Sequence, residues 1–158
     1  MTHLDPALLE TPASNRLPQG TLLAFDYGEK RIGVAVGELP LQSAHPLVTL
    51  TVESNAARFA AIGALLKTWQ PSALIVGLPT HMSGDEHLMT RLARKFAHRL
   101  QGRFGLPVFL VDERLTSAWA ASLLNDMGVH GHKQKPALDQ ISAQAILMQA
   151  MESGANSL

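Results

Sequence analysis

Hydrophobic and polar positions follow one another along this chain in blocks whose period changes, and the changes mark its elements. Leu22, Leu23, Ala24 and Phe25 are consecutive apolar residues, the pattern of a strand buried on both faces, and the run stops at Asp26, Tyr27 and Gly28. After a polar turn at residues 29–31, residues 32–37 predict a second strand close enough for an antiparallel hairpin. Residues 47–52, alternating apolar residues with threonine, predict a third. Phe59, Ile62, Leu66 and Trp69 then recur at helical spacing, with Ser54 or Asn55 as N-cap and Pro71 just past the end. Residues 73–78 form a short buried strand, closed by Gly77, Leu78 and Pro79 and followed by a flexible segment at Met82, Ser83 and Gly84. Residues 86–101 carry Leu88, Leu92, Phe96 and Leu100 on one helical face and Arg91, Arg94, Lys95 and His98 on the other. A fifth strand at residues 108–111 runs into Asp112, Glu113 and Arg114. Thr116 or Ser117 caps a third helix that ends at Gly128. A basic loop over residues 129–135 leads to a last helix that begins near Pro136, carries Asp139 in its first turn, and continues through Ile141, Ala145 and Met148 to a frayed polar end.

The predicted order is βββαβαβαα, an α/β class. Three strands form a meander, and two right-handed βα crossovers lay the later strands parallel to the first. The expected sheet has five strands in the order 3-2-1-4-5, strand two antiparallel to the rest, with helices on both faces. The carboxyl ends of strands one, four and five then share one crevice, where open α/β sheets bind ligands. Residues 1–20, with Pro6, Pro12 and Pro18, read as a flexible tail, and residues 21–158 as a single domain without an internal repeat.

Composition narrows the chemistry. The chain has no cysteine, which excludes a disulfide framework and a cysteine zinc site, so any metal must be held by oxygen or imidazole. Thirteen basic residues balance thirteen acidic ones, so binding to a polyanion would need a local patch. No apolar run is long enough to span a bilayer and no secretory signal is recognisable, which predicts a soluble, cytoplasmic protein without membrane partners.

Three places bring carboxylates to the crevice. Asp26 ends an apolar strand, where an ionised carboxylate must be paired, hydrogen-bonded or bound to a cation, although a turn aspartate before Gly28 reads the same way. Asp112 and Glu113 are adjacent, so the period of two sends them to opposite faces and spacing alone does not choose between them. Asp139 would be favoured by the helix dipole whatever it does. The cations of residues 91–98 are what any surface helix shows, and His130 and His132 lack further ligands at a recognisable spacing.

Together these residues carry a family resemblance. Asp26-Tyr27-Gly28 with Arg31-Ile32-Gly33-Val34-Ala35-Val36 resembles the opening hairpin of the YqgF, or RuvX, family. Val76-Gly77-Leu78-Pro79 with Met82 and Gly84, then Asp112-Glu113-Arg114-Leu115-Thr116, then Asp139 with Ala143, Ile146 and Leu147, resemble its later motifs in order, over residues 22 to about 151. Ser117 and Ser142 depart from the usual threonine and alanine, and neither departure touches a carboxylate. The resemblance implies a ribonuclease-H-like fold, kinship with Holliday-junction resolvases, and a nuclease that trims the 5′ end of precursor 16S ribosomal RNA during ribosome biogenesis. It implies Asp26, Glu113 and Asp139 as the catalytic and metal-binding trio, and so selects Glu113 over Asp112. Gly77, on the strand between Asp26 and Glu113, would keep the gap clear of a side chain.

Such an all-carboxylate site suits two magnesium or manganese ions about 4 Å apart, with Asp26 as the bridge. Without metal the carboxylates repel, so at least one pKa should be raised. The expected partner is structured RNA, with DNA junctions as the alternative, acted on by a monomer or a homodimer. A non-catalytic binding module of the same fold is disfavoured by the intact trio. An actin-like phosphotransferase is disfavoured because it needs a second copy of the fold. Arg31, Arg114, Lys133 and Lys135 are the candidate phosphate contacts. RNA affinity should therefore fall steeply with salt, and replacing Lys133 and Lys135 should flatten the slope of log affinity against log salt; an unchanged slope would clear the loop of this role.

Overall fold

The computed structural model describes residues 16–51, 53–79, 86–113 and 134–158. The first fifteen residues of the expected tail, the segment around Met82 and Gly84, and the helix expected between Thr116 and Gly128 lie outside the described residues. The described elements run β1 (Gly20–Tyr27), β2 (Arg31–Leu39), β3 (Ser43–Thr51), α1 (Asn55–Trp69), β4 (Ala73–Leu78), α2 (Glu86–Phe104), β5 (Val108–Asp112), α3 (Gln134–Ser153) and β6 (Asn156–Ser157). None of the described helices is long and apolar enough to cross a membrane.

The continuous apolar run of β1 is explained by its place in the sheet, whose order is β3-β2-β1-β4-β5-β6. β2 pairs with β1 antiparallel on one side and β4 pairs with it parallel on the other, and Leu22 to Phe25 have no accessible surface. β4 and β5 continue the parallel set. The expected order of the first five strands and the antiparallel β2 are found, but the sheet has six strands. β6 adds antiparallel to β5 through Leu110↔Asn156 and Phe109↔Ser157. Two exposed polar residues have no alternation to read, and their position beside β5 is what makes them a strand.

Several boundaries shift, two of them for a readable reason. β3 starts at Ser43 rather than residue 47, because exposed His45 and Pro46 still pair with Val36 and Ala35 across a register irregularity. Proline is tolerated there because β3 lies at the edge of the sheet. α3 starts at Gln134, ahead of Pro136, so Asp139 lies in its second turn and not its first. Proline fits inside a first turn because the amide it lacks has no helical acceptor there.

Strand parity divides the core in two. Leu23, Phe25, Val34, Leu74, Val76 and Leu110 face α1 and α2, meeting Phe59, Ile62, Leu66, Ala93, Ala97 and Leu100. Leu22, Ala24, Ala35, Ile75, Phe109 and Val111 face α3, meeting Ala143, Ile146, Leu147 and Ala150, with Leu17 of the N-terminal segment packed at the margin. α1 begins as its sequence suggests: Ser54 caps it by accepting from the Ala57 amide at 3.1 Å, and Gln70, in the left-handed region, ends it. On α2, Phe96 is buried against Phe25, Tyr27 and Phe59, with ring centroids 5.0 to 6.2 Å apart, whereas Leu88, on the same sequence stripe, is 54% exposed. Phe96→Ala should therefore cost about 3–5 kcal/mol and Leu88→Ala about 0.5 or less, read from urea midpoints at constant m. Equal costs would show that the buried face of α2 has been misassigned.

Candidate active site

The carboxyl ends of β1 and β5 and the second turn of α3 converge on the α3 side of the sheet. Asp26 shares its face with Leu22 and Ala24. Its partner across the β1–β2 ladder is Gly33. A Cβ at Gly33 would collide with the backbone carbonyl of Asp139, so the absent side chain is what lets α3 come down beside Asp26. Glu113 continues β5 past its last paired residue, its amide donating to the Leu78 carbonyl at 2.8 Å. The same parity that sends Phe109 and Val111 toward α3 sends Glu113 there too. Its Oε2 lies 3.2 Å from where a Cβ at Gly77 would be, and that Cβ would also strike Ile146. Glu113 thus reaches toward Asp26 through space that β4 leaves empty at Gly77.

Asp112, one residue earlier, goes to the other face. It is exposed and lines a cleft with Arg94 and His98 of α2. The adjacent pair is therefore separated by the sheet, with Glu113 on the side of the other two carboxylates.

Crowding decides the electrostatics. The Asp26 carboxyl is held well above its ordinary value near 3.8, first by burial, then by the Glu113 charge and a hydrogen bond with Glu113, and last by the charge of Asp139. A hydrogen bond between two carboxyl groups needs a proton, so Asp26 keeps its proton to higher pH than an ordinary carboxyl does, with Glu113 beside it as acceptor. Asp139 is engaged differently: Arg31 Nε donates to its Oδ2 at 2.7 Å. In this conformation no group of three acidic or imidazole side chains among the described residues surrounds one point closely enough to hold an ion. The donor set nonetheless suits a hard divalent cation: it is all oxygen, and it carries more negative charge than it can keep without a proton or a guanidinium. Beside it opens a crevice of about 350 Å³ lined by Asp26, Gly28, Lys30, Arg31, Met89 and Asp139, with Tyr27 and Glu29.

Of the cations proposed for phosphate contact, Arg31 is at this crevice. Arg114 and Lys133 lie outside the described residues, and of Lys135 only the helical backbone at the start of α3 is described. Sequence patterning missed Arg58, which is buried on α1 against Tyr27. Its signal was present, since Arg58 precedes Ile62 by one helical turn and so falls on the apolar stripe.

A mixed sheet in this order, flanked by helices on both faces and with acidic residues at the ends of its first and fifth strands and on the last helix, defines a ribonuclease-H-like fold. The Thermus thermophilus RuvC chain, solved with a Holliday junction substrate, superposes with a TM-score of 0.55 at 15% identity, covering 87% of this chain and 99% of that one. The model of the RuvX family, described as Holliday junction resolvase, matches residues 20–153, and the chain belongs to that family. A Methylobacillus flagellatus protein named "Putative pre-16S rRNA nuclease" is 59% identical over 138 residues, 87% of this chain and 92% of its own length. A protein of the same name from Neisseria gonorrhoeae is 55% identical over 140 residues, 89% and 93% of the two chains.

The raised Asp26 pKa has a consequence for stability. A carboxyl that ionises less readily folded than unfolded stabilises the protein below the unfolded pKa, and that contribution is lost as pH rises toward the folded value. Asp26→Asn removes the ionisation, so in EDTA the variant should be more stable than wild type at pH 7, and the gap should shrink toward pH 4. A gap in urea midpoints that does not vary with pH would contradict the raised Asp26 pKa.

Proposed function

We propose that the protein is a divalent-metal-dependent nuclease that hydrolyses phosphodiester bonds at the 5′ end of precursor 16S rRNA. The observation that carries this reading is the meeting of Asp26, Glu113 and Asp139 on one face, over two glycines whose side chains would block it. The names of the relatives supply the substrate, and ribosome assembly supplies a cytoplasmic setting. In this reading residues 21–158 form the nuclease domain.

Asp26 and Glu113, with Asp139, would hold the metal, probed as Mg²⁺ or Mn²⁺. A bound divalent cation supplies stabilisation of charge on the phosphoryl group and a stronger water nucleophile at neutral pH. Asp26, whose carboxyl holds its proton unusually well, would have to be deprotonated to serve as a ligand, with Glu113 beside it. Arg31 orients Asp139 at the crevice rim and presents the rest of its guanidinium to the substrate phosphate. Asp112, on the other face of β5, takes no part.

The test is cleavage of precursor 16S leader RNA, unstructured RNA and a four-way DNA junction with Mg²⁺ or Mn²⁺. Asp26→Asn, Glu113→Gln and Asp139→Asn should each slow RNA cleavage about 100-fold or more, the equivalent of losing several kcal/mol of transition-state stabilisation. Pairs should lose little beyond the worst single change, because ligands of one cluster act as a unit. Asp112→Asn should cleave within about twofold of wild type, as expected of a group outside the site. Wild-type rates from folded Asp26→Asn would refute the metal-nuclease reading, and cleavage confined to the DNA junction would replace the RNA substrate with the resolvase one.

A further inference from the structure

The strand that delivers Asp26 also builds a second polar cleft, on the opposite face. Tyr27 follows Asp26, so its side chain goes to the side of α1 and α2. There a cleft of about 390 Å³ is lined by Tyr27, Arg58, Lys95 and Arg99, with Asn55 in the first turn of α1 and Glu29 among its walls.

Arg58 is the unusual member. It is 8% exposed, its guanidinium carbon lies 5.2 Å from the Tyr27 ring centroid, and its three nitrogens have no charged partner among the described residues. Nη1 donates to the Tyr27 hydroxyl at 3.4 Å, Nη2 to the Glu29 carbonyl at 3.1 Å, and buried Nε to nothing. A guanidinium taken out of water against neutral oxygens leaves most of its desolvation cost uncompensated. Lys95 and Arg99 add two further cations, and neither they nor Arg58 has an ion pair among the described residues. The one acid at the cleft, Glu29, is exposed, so the lining carries net positive charge. The first turn of α1 adds the positive end of its dipole. Phosphate is the ligand chemistry this lining suits.

Tyr27 and Glu29 also line the crevice beside Asp26. The two clefts are thus neighbours around the end of β1, reached from residues one Cα step apart, roughly 3.8 Å. We propose that the Arg58–Lys95–Arg99 cleft seats a backbone phosphate of the RNA strand, away from the bond that is cut, and so sets which phosphate lies at Asp26. The proposal rests on the nuclease reading above. The Tyr27 ring is covered by Arg58 on one side and packs against Phe96, so the cleft reads the backbone and not a base.

The test uses the full chain in EDTA, where binding is measured without cleavage. Arg58 is left in place because its burial makes its replacement a risk to folding. Lys95→Gln combined with Arg99→Gln, with an unchanged urea midpoint, should weaken anisotropy-measured binding of a short single-stranded RNA about tenfold and reduce the salt slope by about 0.7, the value for one phosphate contact. Methylphosphonate substitution along that RNA should reveal one position, displaced from the cleaved bond, whose neutralisation weakens wild type but not the double variant. An unchanged affinity and slope in the folded variant would overturn the proposal. So would saturable binding of inorganic phosphate lost in the variant while RNA binding is kept, which would make the cleft a free-anion site. A protein inactive in cleavage that still shows the slope change would fail the nuclease reading and retain the phosphate seat.

Discussion

Everything at this site depends on one carboxylate, Asp26, being buried beside the charges of two others, Glu113 and Asp139. Asp26 is crowded by protein, faces Glu113 across an empty lattice position at Gly77, and feels Asp139 over Gly33. Two glycines on the strands that flank β1 therefore act together with the acids. Gly33 admits a helix backbone and Gly77 admits a side chain, and both act by leaving out a Cβ. That crowding is relieved by the raised Asp26 pKa, which favours its neutral form, and by the Arg31 contact with Asp139. In the proposed function such a site would exchange a proton and a guanidinium contact for a cation, which would couple metal binding to pH.

The remaining architecture keeps that arrangement rigid. β1 is central, paired on both sides and packed on both faces, so Asp26 is presented by the least mobile kind of strand. α3 is held over β1, β2 and β5 by Ala143, Ile146, Leu147 and Ala150, small and branched residues that allow close approach. Its first turns are tied to the far edge of the sheet, where Thr49 donates to the Pro136 carbonyl and Gln140 donates to the Thr49 hydroxyl. Asp139, between those ties and the core contacts, is thus fixed from both ends.

The end of β1 also divides its polar residues between two faces. The period of two puts Asp26 with the acids and Tyr27 with the cations of α1 and α2, so one strand terminus carries an acidic crevice and a basic cleft side by side. In the proposed function a polynucleotide, whose phosphates are all alike, would meet opposite demands at the two places: neutralisation by fixed cations at one, and at the other acids that would first need cations of their own.

By itself the sequence determined the elements whose signals are local. The apolar runs of β1 and β4, the Ser54 cap and Pro71 stop of α1, and the order of the first five strands follow from periodicity, punctuation and the handedness of crossovers. The candidate acids were legible as charges at the ends of apolar runs, and the family motifs chose Glu113 from the adjacent pair. What spacing could not decide was anything set by distant chain segments. The two-residue β6 exists because β5 offers it an edge, Leu88 and Phe96 share a stripe but only one meets the sheet, and Arg58 is buried because Tyr27 and Glu29 arrive from the end of β1 and the turn that follows it. The raised pKa of Asp26 beside Glu113 belongs to the same class. Neither residue's neighbours in the chain predict it, since it arises only where β1, β4 and β5 align and Gly77 leaves the space between them open.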